Sequence, residues 1–291
     1  MVLNAPRARP NEDWTAPQEE EKLFQRGQAK KEFLLATELD LSAARRRIVS
    51  FIKRKVDGSQ TEGAVLGISG GIDSAVTAYL CVEALGSRRV TGLIMPDLRA
   101  TPDQDVKDAR LVASELCIEV KEIDVAPIHK AYLKSLESNR LAEGNLRARI
   151  RMSLLYYHAN LTNRLVVGTG DRSELLLGYF TKYGDGGVDI LPIADLYKTE
   201  VRRLGEVLGI NRRIVAKRSS PRLWPGHIAE SEIGMSYETI DRLFKLRFEE
   251  GLEVPEIAGR MNQNQAKLDA ILAKYQASEH KRRMPEICKL R

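Results

Sequence analysis

Predicted strands and predicted helices alternate through the first half of the chain. Residues 64–68, 90–95 and 119–125 are predicted strands, and the first two are continuous apolar runs. Between them, residues 74–85 and 103–117 repeat apolar positions at spacings of three and four, which predicts helices. This order predicts an α/β fold, a doubly wound parallel sheet with helices on both faces. In such a sheet, ligands bind beyond the carboxyl ends of the strands.

Further elements flank this unit. A helix is predicted from Leu41, where apolar residues recur at helical spacing until Asp57-Gly58 ends it. The later chain predicts one more strand and then a helical C-terminal part, with the strand at 164–167 and helices at 127–136, from Asn145, and at 195–208, 236–250, 254–261 and 265–277. Three prolines among polar residues predict a mobile arm at 1–18, before a short helix at 19–35. We therefore expect a partly mobile N-terminal extension at 1–40 and a folded domain at 41–291.

The segment between the first predicted strand and its helix has the features of a phosphate-binding loop. Two adjacent glycines let the backbone approach an anion, and the helix N-terminus that follows presents unpaired N–H groups. The loop consists of Gly67, Ile68, Ser69, Gly70, Gly71, Ile72, Asp73 and Ser74. Asp73 stands where a kinase-type loop carries lysine, so we expect a metal ion rather than an ammonium to meet the phosphates. An ordinary strand-to-helix turn is the competing interpretation.

A second glycine turn, Gly168-Thr169-Gly170, follows the predicted strand at 164–167 and is expected at the same edge of the sheet. Glu174 follows this turn as Asp73 follows the first, so two carboxylates are available to hold Mg²⁺ against phosphate oxygens. Solvated carboxylates at helix starts are the competing interpretation. The glycine-rich segment at 178–189 is too irregular for a helix or a strand, and we interpret it as a substrate loop.

Lys198 lies in the first turn of a predicted helix, where a cation opposes the helix dipole. A lysine in this position is more plausible if an anion occupies the same end of the helix. The sequence therefore predicts that Lys198 lies beside a negatively charged group.

Composition excludes several classes of protein. With 291 residues and 43% hydrophobic residues, the chain can bury a sizeable core. The formal charge of +6 suits anionic ligands, but the dispersed basic residues predict no nucleic-acid surface. No apolar stretch approaches the ~20 residues of a membrane span, and we expect no signal peptide. The three cysteines have no metal-binding or redox spacing, which fits a reducing cytoplasm, and Cys81 and Cys117 are predicted to pack on apolar helix faces.

The Ser-Gly-Gly-x-Asp-Ser hexapeptide at 69–74 resembles the pyrophosphate loop of the N-type ATP pyrophosphatases. Members of that group transfer AMP from ATP to a substrate oxygen and release pyrophosphate. Later blocks of the chain resemble one branch of the group, the NAD synthetases, in order and spacing. These blocks are residues 145–152, Gly168-Thr169 with Glu174, the run at 179–189, and residues 279–282. The resemblance extends from about Leu41 to Met284, and its most discriminating piece is Phe-Thr-Lys-Tyr-Gly-Asp-Gly-Gly.

The resemblance implies a Rossmann-like sheet of the ATP pyrophosphatase type and an ammonia-dependent NAD synthetase. Such an enzyme amidates deamido-NAD to NAD at the expense of ATP. The nicotinate carboxylate first takes AMP, giving NAD-adenylate and pyrophosphate, and ammonia then displaces AMP. The implied partners are ATP, deamido-NAD, ammonia and a second copy of the chain, with Mg²⁺ as cofactor and no role for nucleic acid or membrane. The dinucleotide site of the family lies near the interface of its homodimer.

The resemblance also assigns residues to these roles. It implies ATP binding by the loop 67–74 together with Thr169, Lys198 and Ser220, and Mg²⁺ binding by Asp73 and Glu174. It implies deamido-NAD binding by Arg149, Lys182, Asp189, His280 and Lys281. From the residues alone, Arg149 and His280 are equally compatible with a solvated surface.

Two side chains are expected to act in the chemistry. We expect Lys198 to neutralise charge on the α-phosphate and pyrophosphate as their bond breaks. Asp171 is a candidate base for deprotonating the attacking ammonium.

The chain departs from the family pattern in two places. Trp224-Pro225-Gly226-His227 resembles the loop of archaeal and glutamine-dependent members rather than that of many small bacterial ones, which leaves the route of the nucleophile open. Only 68 residues precede Ser69, too few for the nitrilase-like amidase domain of glutamine-dependent enzymes. Ammonia is therefore expected from solution or from a separate glutaminase.

Two other functions compete with this interpretation. Another adenylating amidotransferase or a tRNA thiolase would share the hexapeptide, although a thiolase is expected to carry a reactive cysteine or a nucleic-acid module. A catalytically silent nucleotide sensor belongs to a different class. The presence of Asp73, Glu174 and Lys198 argues against such a loss of chemistry.

Overall fold

The structure is a computed structural model that describes residues 39–224 and 226–290. Within the chain, Leu41–Arg291 forms one compact unit. The mobile arm and the short helix predicted between residues 1 and 35 lie outside the described residues.

The centre of the unit is a parallel four-stranded sheet. Its strands are β1 Gly63–Gly67, β2 Val90–Ile94, β3 Glu119–Glu122 and β4 Arg164–Val166, in the order β3-β2-β1-β4. β1 is the inner strand that pairs with both β2 and β4, so chain connections leave it in opposite directions. The predicted parallel α/β sheet is therefore confirmed, and loops that leave β1 and β4 meet at one edge.

Helices cover the sheet and form the C-terminal part. They are α1 Leu41–Gly58, α2 Ile72–Leu85, α3 Asp103–Glu115, α4 Ala126–Leu133, α5 Arg140–Thr162, α6 Arg172–Leu177, α7 Lys198–Val207, α8 Arg212–Val215, α9 Ala229–Ile233, α10 Tyr237–Phe244, α11 Val254–Met261 and α12 Gln265–Ala277. A π-helical turn, Lys245–Glu249, continues α10, and 3₁₀ turns occupy Ser87–Arg89 and Glu279–Lys281.

Successive residues of β1 pack on opposite faces of the sheet, as the pleat of a strand requires. Leu66 joins the cluster formed with α1, α2, α3 and α7, whereas Val65 joins the cluster formed with α4 and α5. A third cluster of buried residues, which includes Tyr237 and Phe244, holds α9 to α12 together. The predicted helices on both faces and the helical C-terminal part are thus confirmed. None of the helices in the described part of the chain has the length and apolar character needed to cross a membrane.

Several predicted boundaries were wrong. The helix predicted from Asn145 begins at Arg140, because the Asn139 side chain caps it by accepting the N–H of Ala142 at 3.0 Å. The helix predicted to reach Cys117 ends at Glu115, and Cys117 adopts a positive φ of 51° and is exposed rather than packed. Cys81 is buried as predicted. The three short helices α6, α8 and α9 had no counterpart in the prediction, because they are too short to show periodicity.

Candidate active site

A cavity of about 460 Å³ opens where the loops after β1, β2 and β4 meet. This is the size expected of a small-molecule site. Its wall includes these residues that the sequence predicted for ATP, metal or dinucleotide binding: Gly67, Ile68, Ser69, Gly71, Ile72, Asp73, Thr169, Glu174, Ser220 and Lys281. Both glycine turns therefore border one cavity, as the topology requires.

Hydrogen bonds of the Ser69 and Ser74 hydroxyls fix the conformation of the loop after β1. Ser74 Oγ accepts the backbone N–H of Ser69 at 3.1 Å and donates to the carbonyl of Gly71 at 3.0 Å. Gly71 is the N-cap residue of α2 and supplies no side-chain acceptor. The first-turn N–H groups of α2 therefore stay available to an anion.

Gly70 fixes this loop against α3. It has a positive φ of 76°, and a Cβ at this position would lie 2.2 Å from the carbonyl oxygen of Asp105. Its carbonyl accepts the ammonium of Lys217 at 2.7 Å, and Lys217 also pairs with Asp105 and with buried Asp108. Lys217 was not predicted, because 147 residues separate it from its partner in the loop.

Lys198 lies at the centre of the strongest electrostatic feature of the site. Its ammonium is fully buried and contacts Asp73 Oδ2 at 2.7 Å, Asp171 Oδ2 at 2.8 Å and Glu174 Oε1 at 2.9 Å. Asp73 and Glu174 line the cavity, whereas Lys198 and Asp171 are completely buried and do not belong to its wall. Lys198 thus holds two carboxylates at the cavity wall.

The start of α7 explains why a lysine is tolerated there. Glu200 Oε2 accepts the Tyr197 N–H at 2.9 Å, the Lys198 N–H donates to Ser173 Oγ at 2.9 Å, and the Thr199 N–H donates to Asp241 Oδ2 at 2.9 Å. Acidic groups therefore surround this helix end, where the sequence analysis expected a bound anion. They belong to the protein itself.

The charges of the cluster do not balance within the protein. Three carboxylates and one ammonium leave two negative charges when all are ionised. Burial raises the pKa of Asp171 and of Glu174, and Lys198 only partly offsets that rise. Burial acts against charge on Lys198, but Asp171, Asp73 and Glu174 outweigh it and raise the pKa of the ammonium. The cluster is therefore short of positive charge.

A divalent cation fits this cluster. Oxygen atoms of Asp73, Asp171 and Glu174 lie within 4.8 Å of one another, and carboxylate oxygens are the ligands that Mg²⁺ prefers. Asp73 Oδ1 is buried without a hydrogen-bond partner among the described residues. Two missing positive charges and an unpartnered carboxylate oxygen are both consistent with a divalent ion.

The residues predicted for the dinucleotide lie together only in part. Arg149 donates to the carbonyl of Lys182 at 3.3 Å, and Lys182 Nζ donates to the carbonyl of His280 at 2.7 Å. Lys281 Nζ donates to the carbonyls of Gly178 and Phe180 at the cavity wall, at 2.7 and 2.9 Å. Arg149 lines a separate, shallow apolar depression between α4 and α5.

Two other predicted residues are engaged by the protein. Asp189 accepts the Tyr156 hydroxyl at 2.9 Å and the Val166 N–H at 2.8 Å, so it also fixes the end of β4. Ser220 Oγ donates to the carbonyl of His227 and accepts the Arg222 N–H at 3.2 Å. Ser220 thereby shapes the loop that carries His227.

The sequence analysis missed a polar cluster in the cavity wall. His227 Nε2 lies 2.6 Å from Glu232 Oε2, and the Tyr179 hydroxyl donates to the same oxygen at 2.5 Å. Trp224 stacks on the imidazole with ring centroids 3.7 Å apart. Trp224, His227 and Glu232 are close in the sequence, but Tyr179 lies 48 residues before His227, so the sequence did not reveal the complete cluster.

Comparisons with known proteins bear on this site. The family model described as NAD synthase matches residues 44–285. A curated relative from Hyperthermus butylicus, named NH(3)-dependent NAD(+) synthetase, is 50% identical over 250 residues, covering 85% of this chain and 91% of the relative. A relative of the same name from Archaeoglobus fulgidus is 50% identical over 246 residues, covering 84% of this chain and 96% of the relative.

Solved structures with the same fold carry related names. NMN synthetase from Francisella tularensis has a TM-score of 0.77 and 34% identity, over 87% of this chain and 100% of that chain. NH3-dependent NAD synthetase from Campylobacter jejuni has a TM-score of 0.74 and 34% identity, over 87% of this chain and 100% of that chain.

We predict that Lys198→Met destabilises the protein in a pH-dependent way. Removing the ammonium leaves buried Asp171 and the partly exposed Asp73 and Glu174 without their cation, which costs on the order of 3–5 kcal/mol of unfolding free energy. Lys198 lowers the pKa of Asp171 and of Glu174, so in the variant both pKa values rise further above those of the unfolded chain, and protonation at low pH stabilises the variant more than the wild type. The difference in unfolding free energy between the wild type and Lys198→Met should therefore become smaller as the pH is lowered from about 8 to about 5.5.

Chemical denaturation of both proteins at the two pH values measures this effect. Lys53→Met, which removes an exposed lysine from α1, is the matched control and should change the unfolding free energy by no more than about 0.5 kcal/mol. An equal loss for Lys198→Met at both pH values would contradict the electrostatic explanation.

Proposed function

The chain belongs to the NAD synthase family, and we propose that it forms NAD from deamido-NAD, ATP and ammonia in two steps at the cavity between the glycine turns. The observation that carries the proposal is the convergence of Asp73, Glu174 and Lys198 beside a loop with free helix N–H groups. This is the charge arrangement that a polyphosphate and a divalent ion require. The chain is thus a ligase that joins carbon to nitrogen.

In the first step, an oxygen of the nicotinate carboxylate attacks the α-phosphorus of ATP. A bond forms between this oxygen and phosphorus, the bond to pyrophosphate breaks, and NAD-adenylate results. We assign binding of the departing pyrophosphate to the loop 67–74, with Thr169 and Ser220 as further ATP contacts. Lys198 supports this step by supplying positive charge to the cluster and by fixing the positions of Asp73 and Glu174.

We propose that Asp73 and Glu174 hold Mg²⁺, because both line the cavity and the cluster lacks two positive charges. The ion would neutralise phosphate charge as pyrophosphate departs. Asp171, which is buried and does not line the cavity, would pair with Lys198 on the side away from the ion.

In the second step, ammonia attacks the carbonyl carbon of the adenylate. A carbon–nitrogen bond forms, the bond to AMP breaks, and the amide of NAD remains. We assign Asp171 a positioning role here rather than the base role considered from the sequence. One of its oxygens caps α6 by accepting the Glu174 N–H at 2.8 Å, and the other pairs with Lys198.

We propose that Arg149, Lys182, Asp189, His280 and Lys281 bind deamido-NAD. The hydrogen bonds that link Arg149 to Lys182 and Lys182 to the His280 carbonyl support a common surface for this substrate. Lys281 extends this surface to the cavity wall.

We further propose a homodimer in which a second copy covers the depression beside Arg149. The apolar character of the depression and the exposed side chains of Tyr132 and Tyr157 support this arrangement. The ammonia would come from solution or from a separate glutaminase, and the reduced cysteines are consistent with a cytoplasmic enzyme.

The proposed reaction is tested by NAD formation with ATP, Mg²⁺ and deamido-NAD, supplied in parallel with ammonium or with glutamine. We expect turnover with ammonium only. A parallel reaction replaces deamido-NAD by nicotinate mononucleotide, because one structural neighbour is named NMN synthetase. Preference for the mononucleotide would reassign the substrate, and ATP binding without turnover would favour the nucleotide sensor.

Glu174→Gln should reduce the rate of adenylation at least about 100-fold. Loss of a group that only hydrogen-bonds to a metal ligand already costs about 10–100-fold in activity, and loss of the ligand itself should cost more. The amide keeps the shape of the side chain, so the unfolding midpoint should change little. The measurement is ATP–pyrophosphate exchange that depends on deamido-NAD, at several Mg²⁺ concentrations. Near-normal exchange at low Mg²⁺ would remove Glu174 from the metal site.

Lys182→Ala should raise the KM for deamido-NAD by about 10-fold or more, the loss expected for one charge-assisted hydrogen bond. The KM for ATP should change much less, because Lys182 does not line the described cavity. Steady-state kinetics with each substrate varied in turn measures both constants. A rise in the KM for ATP alone would move Lys182 to the other substrate.

A further inference from the structure

The second step needs a proton acceptor that the charge cluster does not provide. Ammonia is present mainly as ammonium near neutral pH, and ammonium has no lone pair with which to attack. Asp171, the acceptor considered from the sequence, has both carboxylate oxygens engaged away from the cavity. The wall of the cavity contains another candidate base, His227.

His227 has the hydrogen bonds of an oriented base. Its Nε2 lies 2.6 Å from Glu232 Oε2, and the Tyr179 hydroxyl donates to the same oxygen. Although burial raises the pKa of Glu232, the hydrogen bonds from Tyr179 and His227 hold it below its usual range. In the tautomer in which Nε2–H donates a hydrogen bond to the ionised Glu232, the lone pair of the ring lies on Nδ1.

The other ring nitrogen of His227, Nδ1, lacks a hydrogen-bond partner in the described part of the chain. It is buried and has no hydrogen-bond partner among the described residues, although the His227 side chain is held on three sides by Trp224, Glu232 and Tyr179. A buried acceptor without a partner is energetically unfavourable. Such an atom in the wall of a substrate cavity indicates a donor that arrives with the substrates.

The cluster also adjoins the phosphate end of the cavity. The Tyr179 N–H donates to the carbonyl of Glu174 at 2.8 Å, and the charge of Glu174 contributes to the raised pKa of the Tyr179 hydroxyl. Tyr179 therefore connects the proposed metal-binding carboxylate to the Glu232–His227 pair. The position is suitable for a nucleophile that attacks an acyl group bound beside the phosphates.

We propose that His227 is the general base of the second step, accepting at Nδ1 a proton from ammonium, with Glu232 and Tyr179 as positioning residues. This proposal rests on the function proposed above. The nitrogen–hydrogen bond of ammonium breaks and its electron pair remains on nitrogen, giving ammonia. Ammonia forms the bond to the acyl carbon, AMP departs with the electrons of the carbon–oxygen bond, and the proton lost from nitrogen in forming the amide passes to water.

The role of base can be separated from a structural role by comparing two nucleophiles. Hydroxylamine is mainly uncharged near neutral pH, so its attack on the adenylate needs no prior deprotonation. His227→Gln removes the base while the amide can still donate to Glu232. The full chain and the variant are compared in deamido-NAD-dependent ATP–pyrophosphate exchange, in amide formation with ammonium, and in hydroxamate formation with hydroxylamine.

We expect His227→Gln to keep exchange and hydroxamate formation within about threefold of wild type. Turnover with ammonium should fall by about 10²–10⁴-fold, the usual contribution of a general base. Glu232→Gln keeps the imidazole but removes the charge that orients it. This variant should also lose turnover with ammonium and keep turnover with hydroxylamine, but its loss with ammonium should be smaller. If His227→Gln does not fold, the selectivity of Glu232→Gln decides the question.

The matched control is His129→Gln, the same change at a buried histidine that bonds to Arg99 and the Glu143 carbonyl and does not line the described cavity. Its ratio of ammonium to hydroxylamine turnover should equal that of wild type. Equal losses with both nucleophiles in His227→Gln, or no loss with either, would overturn the assignment of the base. Absence of exchange and of NAD formation in the wild type would instead overturn the proposed function and the base together.

Discussion

The buried ion pairs of Lys198 are the constraint on which the site depends. One ammonium at the start of α7 gathers carboxylates from the start of α2 and from α6 and the residue that caps it. Each of these segments follows a different part of the sheet edge, so the ammonium fixes their relative positions. Because three carboxylates meet one cation in a buried place, the arrangement carries an excess of negative charge that a divalent ion would remove. The cluster beside the proposed phosphate site is thus electrostatically incomplete within the protein.

The walls of the cavity are fixed by a second set of charges. Lys217 connects the carbonyl of Gly70 to two aspartates of α3, and the close approach of Gly70 to Asp105 leaves no room for a side chain. The loop that follows Lys217 then carries Ser220 and His227 into the wall of the same cavity. The phosphate loop and the loop that holds the proposed base are therefore parts of one connected structure, although they are far apart in the sequence.

Local chemistry made part of this predictable from the sequence. The glycine loop between β1 and α2 and the Gly168 turn after β4 were recognisable, and parallel topology brought both to one edge. Lys198 was expected beside an anion because of its unfavourable position in a helix. What could not be predicted was that protein carboxylates supply the nearest negative charge. The role of Asp171 as the N-cap of α6 could not be predicted either, because that helix is too short to show periodicity.

The contacts that the sequence did not reveal join residues distant along the chain. Tyr179 and His227 are 48 residues apart, and Lys217 and Gly70 are 147 residues apart. Only the tertiary fold brings such pairs together. The start of α5 was missed for a local reason, because Asn139 caps the helix and lies six residues before the predicted start at Asn145.

The most direct test of adenylation follows an oxygen atom. Deamido-NAD is prepared with a heavy-oxygen label in its nicotinate carboxylate and converted to NAD with unlabelled ATP, Mg²⁺ and ammonium, and the products are examined by mass spectrometry. Attack of the carboxylate on the α-phosphorus predicts one labelled oxygen in AMP and none in pyrophosphate. Label in inorganic phosphate together with ADP, or NAD formation that leaves AMP unlabelled, would contradict the adenylate mechanism.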